Sequence, residues 1–163
     1  MATRPLDSCR LQLVVTRSLC PKNWREVVKA AIAGGVDLLQ LREKQGSTRD
    51  RVELAREYLK LTEPANVPLL INDDVEAARR FGSAVAGVHL GQADHPVEIA
   101  RSRLGAAAWI GVSTHDELEV AWTERTSATH YGLGACFATT TKKDHRLLSF
   151  ESLSRALAKA KRP

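Results

Sequence analysis

Aromatic residues are 5% of this 163-residue chain, and its Lys and Arg residues are scattered rather than run together. A nucleic-acid groove needs a basic stripe with interleaved rings. No nucleic-acid partner is therefore expected, and the net charge of +5 fits an acidic small ligand at least as well. Cysteine is scarce: Cys9, Cys20 and Cys136 are an odd number without C-x-x-C spacing. That argues against a disulfide framework or a cysteine metal site and for a reducing compartment. No apolar run approaches the roughly 20 residues of a membrane span. Arg4, Pro5 and Asp7 stand where a signal peptide would carry its apolar core. A cytoplasmic location without membrane contact is expected. No strand is followed by G-x-G-x-x-G or a P-loop, so dinucleotides and nucleoside triphosphates are not expected. No Ser-His-Asp or Cys-His arrangement is legible.

What is present is ordinary in composition, 44% hydrophobic and 26% charged. The length implies one domain, residues 1–163. Its organising stretch is Gln40-Leu41-Arg42-Glu43-Lys44. An apolar run from Val36 to Leu41 breaks there into charge. Period two puts Gln40, Arg42 and Lys44 on one face and Leu39 and Leu41 on the other. Cations at the carboxyl end of an apolar strand suit a polyanion, because Arg offers a planar fork and Lys a point charge.

The same alternation of short apolar run and helix recurs along the chain. Strands are expected at 11–16, 36–41, 69–71, 87–90, 109–112 and 129–133. Between them the pattern predicts a helix over 24–33, with Asn23 as cap, Trp24, Val27, Val28 and Ala31 as its stripe, and Gly34-Gly35 as its stop. Thr48 is expected to cap a helix over 49–61, and Asp74 a short one over 75–81. Pro96 suits the first turn of a helix ending at Leu104. Helices over 116–125 and 150–161 follow, the last with Leu153, Leu157 and Ala160 on its stripe and Lys159, Lys161 and Arg162 as an ordinary basic end. Six strand-then-helix units imply an α/β fold with a parallel sheet and right-handed crossovers. Both a doubly wound sheet and a (β/α)₈ barrel are compatible with that repeat, although a barrel needs eight units.

Every strand after the first ends in polar residues: Arg42 and Lys44, Asn72 and Asp73, then His89, Gln92 and Asp94, then Ser113 and His115, then Thr139-Thr140-Thr141-Lys142-Lys143. Together they describe one mouth at the carboxyl ends of the strands. Arg42, Lys44 and Lys142 suit phosphate oxygens. Asp73 and Asp94 suit phosphate only through Mg²⁺, a hard cation that takes carboxylates, phosphate and water. Asp94 has a competing reading as a helix cap before Pro96. Thr139 and Thr141 flank a backbone suited to an anion nest, or simply a solvated loop. His89 is read as a buried strand histidine or as support for a neighbour. His95, His130 and His145 carry no pattern, and His115 fits a helix start.

Five blocks carry a resemblance: LQLREK at 39–44, LLINDD at 69–74, GVHLGQAD at 87–94, GVSTH at 111–115 and YGLGACFATTTKKD at 131–144. In order and at strand ends, they resemble the thiamine phosphate synthase family. The resemblance implies an incomplete barrel of the TIM (β/α)₈ type with about six parallel β/α units. It implies an enzyme of thiamine biosynthesis, a Mg²⁺-dependent transferase that joins hydroxymethylpyrimidine diphosphate to thiazole phosphate and releases pyrophosphate. Pyrophosphate would leave first and the thiazole nitrogen would capture the pyrimidine carbocation. Gln40, Arg42, Lys44, Asn72 and Lys142 would hold the pyrimidine diphosphate, and Asp73 and Asp94 the Mg²⁺. Ser113 would hydrogen-bond the substrate or departing pyrophosphate, with Ser113 and Lys142 as the catalytic pair. Thr139 and Thr141 would reach the thiazole phosphate.

Two departures from the family pattern stand out. Ala135 and Cys136 replace a proline and a branched aliphatic residue, putting an oxidisable thiol near the mouth. The family also continues through two further strand-helix units, so strands one and six are expected to be open edges. A fragment of a longer product, a second copy or another polypeptide completing the sheet, and an open six-stranded sheet are the three explanations; a truncated product is the expectation. Two other functional readings share the fold: a thiazole tautomerase, and an inactive diphosphate-binding or interaction protein.

Overall fold

The computed structural model describes residues 4–20, 23–138 and 147–163. Its frame is a six-stranded, wholly parallel sheet ordered β1-β2-β3-β4-β5-β6. The strands are β1 (Gln12–Val15), β2 (Leu38–Leu41), β3 (Leu69–Asn72), β4 (Gly87–Leu90), β5 (Trp109–Thr114) and β6 (His130–Leu133). Between and after them run α1 (Trp24–Ala33), α2 (Thr48–Thr62), α3 (Val75–Arg79), α4 (Val97–Leu104), α5 (Glu117–Thr123) and α6 (Phe150–Lys159). The strand order never reverses. A doubly wound sheet requires a reversal, whereas successive right-handed crossovers without one wrap the helices around a single face. The result is a half-barrel with helices outside.

Alternation along each strand divides the sheet into two faces. The outer face contributes Leu39, Leu41, Leu69, Ile71, Val88, Leu90, Ile110 and Val112 to one core with Val28, Val52, Ala55, Tyr58, Val75, Ala77, Val97 and Ala100 from the helices. Trp24 stacks on Tyr58 with ring centroids 4.3 Å apart, tying α1 to α2. The inner face carries Gln40, Leu70, Asn72, His89, Ser113 and His130. Asp37, just before β2, is buried and accepts the backbone N–H groups of Arg10 and Leu11 at 2.9–3.0 Å. Those bonds, Arg10's first, hold its carboxyl below the ordinary carboxylate range.

Local signals held at most helix ends. Asn23 accepts from Arg25 N–H, Asp74 from Ala77 N–H, and Gly34 closes α1. Three differ. Ser47, not Thr48, caps α2, because Asp50 sits at the third helical position and closes a reciprocal capping box. The third helix stops at Arg79 and a 3₁₀ turn, Gly82–Ala84, leads into β4. The last helix ends at Lys159, and its packed residue is Ala156; Leu157, expected on the stripe, is 56% exposed. α6 lies against α5 at the sheet's margin, and among the described residues Phe150 and Leu157 on it stay largely uncovered. Nor is Arg162 part of a basic helix end. Its guanidinium donates to the carbonyls of Thr123, Glu124, Thr126 and Ala128, and Tyr131 N–H donates to Pro163 O at 3.1 Å.

Candidate functional site at the carboxyl rim of the sheet

The rim is built by strand ends that break into polar residues where pairing stops. On β2, Gln40 is buried; its Oε1 accepts from Gln12 Nε2 at 2.7 Å and its Nε2 donates to Asn72 Oδ1 at 2.6 Å. Two residues on, Arg42 is half-buried, and its guanidinium has no partner among the described residues. Glu43 turns the other way. Its carboxylate accepts the backbone N–H of Arg17 at 2.7 Å and its carbonyl accepts Arg51 Nε at 3.0 Å. Lys44 closes the block in an ion pair with Asp73.

Asp73 follows β3 with a left-handed backbone, φ +63°, a conformation that Asp tolerates better than most residues. Its N–H donates to His89 O at 2.8 Å, pinning the turn to β4. Burial pushes the Asp73 carboxyl above its ordinary range; the Lys44 ammonium pulls it down, and the neighbouring Asp94 carboxyl pushes it up again. Asp94 accepts Gly91 N–H at 2.7 Å. It does not cap α4, whose N-terminal Pro96 has no side-chain bond to the helix; the capping alternative fails. Asp74, by contrast, is occupied as a cap and by Arg51 at 3.1 Å.

The β4–β6 side is different in character. His89 Nε2 lies 3.1 Å from Ser113 Oγ, and Gln92 Nε2 donates to Ser113 O at 2.6 Å. His130 is buried on β6, 5.8 Å ring to ring from His89, with Nδ1 2.9 Å from Thr129 Oγ1. Gly111 lies between the two imidazoles in register, and a Cβ there would collide with both. Burial, with His89 adding to it, lowers the His130 pKa to about 4, so its ring is neutral at neutral pH. His115, expected only at a helix start, lies beside Glu119 with Nδ1 2.9 Å from Oε2, while Asp116 caps α5.

The structure therefore pairs Gln40 with Asn72 and, at the next residue along the chain, Asp73 with Lys44 and Asp94, while Arg42 follows directly after β2. Ser113 joins through His89. Thr139, Thr141, Lys142 and His145 lie outside the described residues. Sequence reasoning missed Gln12 and the His89–Gly111–His130 stack. Only the glycine, sitting among bulky strand residues, signalled the latter.

A model of the thiamine monophosphate synthase family matches residues 11–163. The chain belongs to that family. Among its relatives, the thiamine-phosphate synthase of Clostridium novyi is 45% identical over 136 residues, 83% of this chain and 66% of that protein. The thiamine-phosphate synthase of Clostridium acetobutylicum is 42% identical over 145 residues, 88% of this chain and 68% of that one. The chain thus spans about two thirds of their length. In structure it is similar to a thiamine phosphate pyrophosphorylase from Pyrococcus furiosus, with TM-score 0.80, 28% identity, and coverage of 95% of this chain and 72% of that one. Among the described residues no helix is long and apolar enough to cross a membrane.

Proposed function

We propose that this chain carries the pyrimidine-diphosphate half, and the reacting centre, of a thiamine phosphate synthase acting on small molecules in the cytoplasm. The observation that carries the reading is the Lys44–Asp73 ion pair abutting Asp94, with Asn72 beside it and, just past β2, an Arg42 guanidinium that has no partner among the described residues. Cations and paired carboxylates on one rim suit a diphosphate held together with a hard metal ion. Asp73 and Asp94 fit Mg²⁺: both are oxygen donors, and their mutual repulsion, which adds to burial in raising the Asp73 pKa, would be relieved by a cation. Bound there, Mg²⁺ supplies neutralising charge for the diphosphate.

The protein's own groups do the rest. Arg42 and Lys44 bind diphosphate oxygens, and Gln40 and Asn72 orient the pyrimidine diphosphate. Ser113, its hydroxyl held by His89, donates to the departing pyrophosphate. Lys142 is assigned to the same leaving group, and Thr139 and Thr141 to the thiazole phosphate. The carbon–oxygen bond to the diphosphate breaks with its electron pair on the leaving oxygen, and the thiazole nitrogen's lone pair then forms the carbon–nitrogen bond. Stabilising a departing oxyanion requires fixed donors rather than a nucleophile. Further strands, from a longer chain, a second copy or another polypeptide, would pair with the open edge of β1 and with β6, whose Tyr131 N–H is here taken by Pro163 O.

Pyrophosphate release with both substrates and Mg²⁺ tests the reading. Turnover is expected from wild type, and Asp73→Asn is expected to lose at least a hundredfold in Mg²⁺-dependent rate. Folded protein that binds the pyrimidine diphosphate without turnover would instead favour an inactive binding protein, and activity on thiazole phosphate alone a tautomerase.

A further inference from the structure

We propose that Gln12, which lies outside every motif of the rim, is a positioning residue that sets which end of the Asn72 amide faces the ligand. This rests on the reading of the rim as a diphosphate site.

A carboxamide has one accepting and one donating end, so a row of them must be threaded in a single sense. Here Gln12 donates to the Gln40 carbonyl and Gln40 donates to the Asn72 carbonyl. Both ends of Gln40 and the accepting end of Asn72 are thereby used, which leaves the Asn72 amino group as the donor terminating the row. The three residues come from adjacent strands. Val14 pairs with Gln40, and Gln40 with Leu70, so each step climbs two residues towards the rim. Gln40 and Asn72 are buried, while Gln12 sits exposed at the start of the row. Turning either buried amide alone would set two donors or two acceptors against each other, a high cost out of water. The row can therefore reverse only as a unit, and Gln12 is the member through which its sense can be changed from outside. A terminal donor matches an anionic, acceptor-rich ligand; a terminal carbonyl would oppose it.

Three substitutions separate this from a packing role, and exposure of Gln12 means that each should fold. Gln12→Glu can only accept, so it forces the row to reverse. Gln12→Lys can only donate and preserves it. Gln12→Leu removes the tether without imposing a sense. The ligand-free readout is the NMR pattern of the Gln40 and Asn72 side-chain amide protons. The Lys variant should keep the wild-type pattern and the Glu variant should change it at both residues. With the pyrimidine diphosphate, the Glu variant should raise KM and Kd about tenfold, the Leu variant about threefold and the Lys variant less than twofold, with the thiazole phosphate KM unmoved. Wild-type amide shifts in the Glu variant, or equal effects of Glu and Lys on both readouts, would overturn the proposal. Absence of diphosphate binding by wild type alongside the expected shift pattern would instead sink the enzyme reading and leave the amide row standing.

Discussion

The middle of the sheet and its margins obey different rules. β2 and β3 are buried along their whole length, whereas β1 and β6 alternate between cover and exposure. Large apolar side chains lie bare at both margins: Leu11, Val14 and Leu19 near β1, and Phe137, Leu147, Phe150 and Leu157 near β6 and α6. A strand with neighbours on both sides and helices behind it has no exposed edge, while a marginal strand offers unpaired backbone as well as uncovered side chains. Lys44, Asp73 and Asp94 follow β2, β3 and β4, strands with a neighbour on both sides.

That contrast can be broken or sharpened by substitution. The largest effect is expected at Leu70, which is fully buried on the inner face. Leu70→Ala should cost about 2–5 kcal/mol in urea unfolding. A loss equal to that of a marginal truncation would erase the distinction.

His130 comes next, and it acts through pH. Its folded pKa of about 4 lies below the ordinary 6.5, so the unfolded chain binds the proton more readily. Its contribution is complete above pH 6.5 and is lost as pH falls towards 4. By linkage the loss is at most about 3 kcal/mol. Unfolding curves across that window should show it, and the slope should flatten in His130→Gln.

Asp37→Ala should follow, at about 1–3 kcal/mol, because it leaves the Arg10 and Leu11 N–H groups unmatched at the β1–β2 junction. As a carboxylate with a depressed pKa, Asp37 stabilises above its ordinary value of 3.8 and ceases to as pH falls below it. Acid titration of wild type against Asp37→Asn isolates that part. The smallest effect belongs to Leu157→Ser on the bare side of α6, within about 0.5 kcal/mol. A larger loss would mean that the α6 margin is covered in solution.

The sequence reading succeeded where physics is local and failed where it is not. The polar ends of strands two to five were legible because apolar runs break sharply at Arg42, Asn72, Gln92 and Ser113, and α/β sheets present those ends on one side. Asp74 and Asn23 were legible as caps because capping depends on neighbours two or three residues away. Leu157 misled, since periodicity shows that a helix has an apolar side without showing what covers it. Arg162 misled because its partners, the carbonyls of residues 123–128, lie more than thirty residues back.

By itself, then, the order of residues determined the repeating strand-helix units, their parallel pairing and the polar character of one end, because each follows from periodicity, caps and charge along short stretches. Only the tertiary structure decided that Lys44, Asp73 and Asp94 touch, that Gln12 threads into Gln40 and Asn72, and that Gly111 makes room for two imidazoles. These depend on strand register, and register is set by packing across the whole sheet rather than by any segment within it.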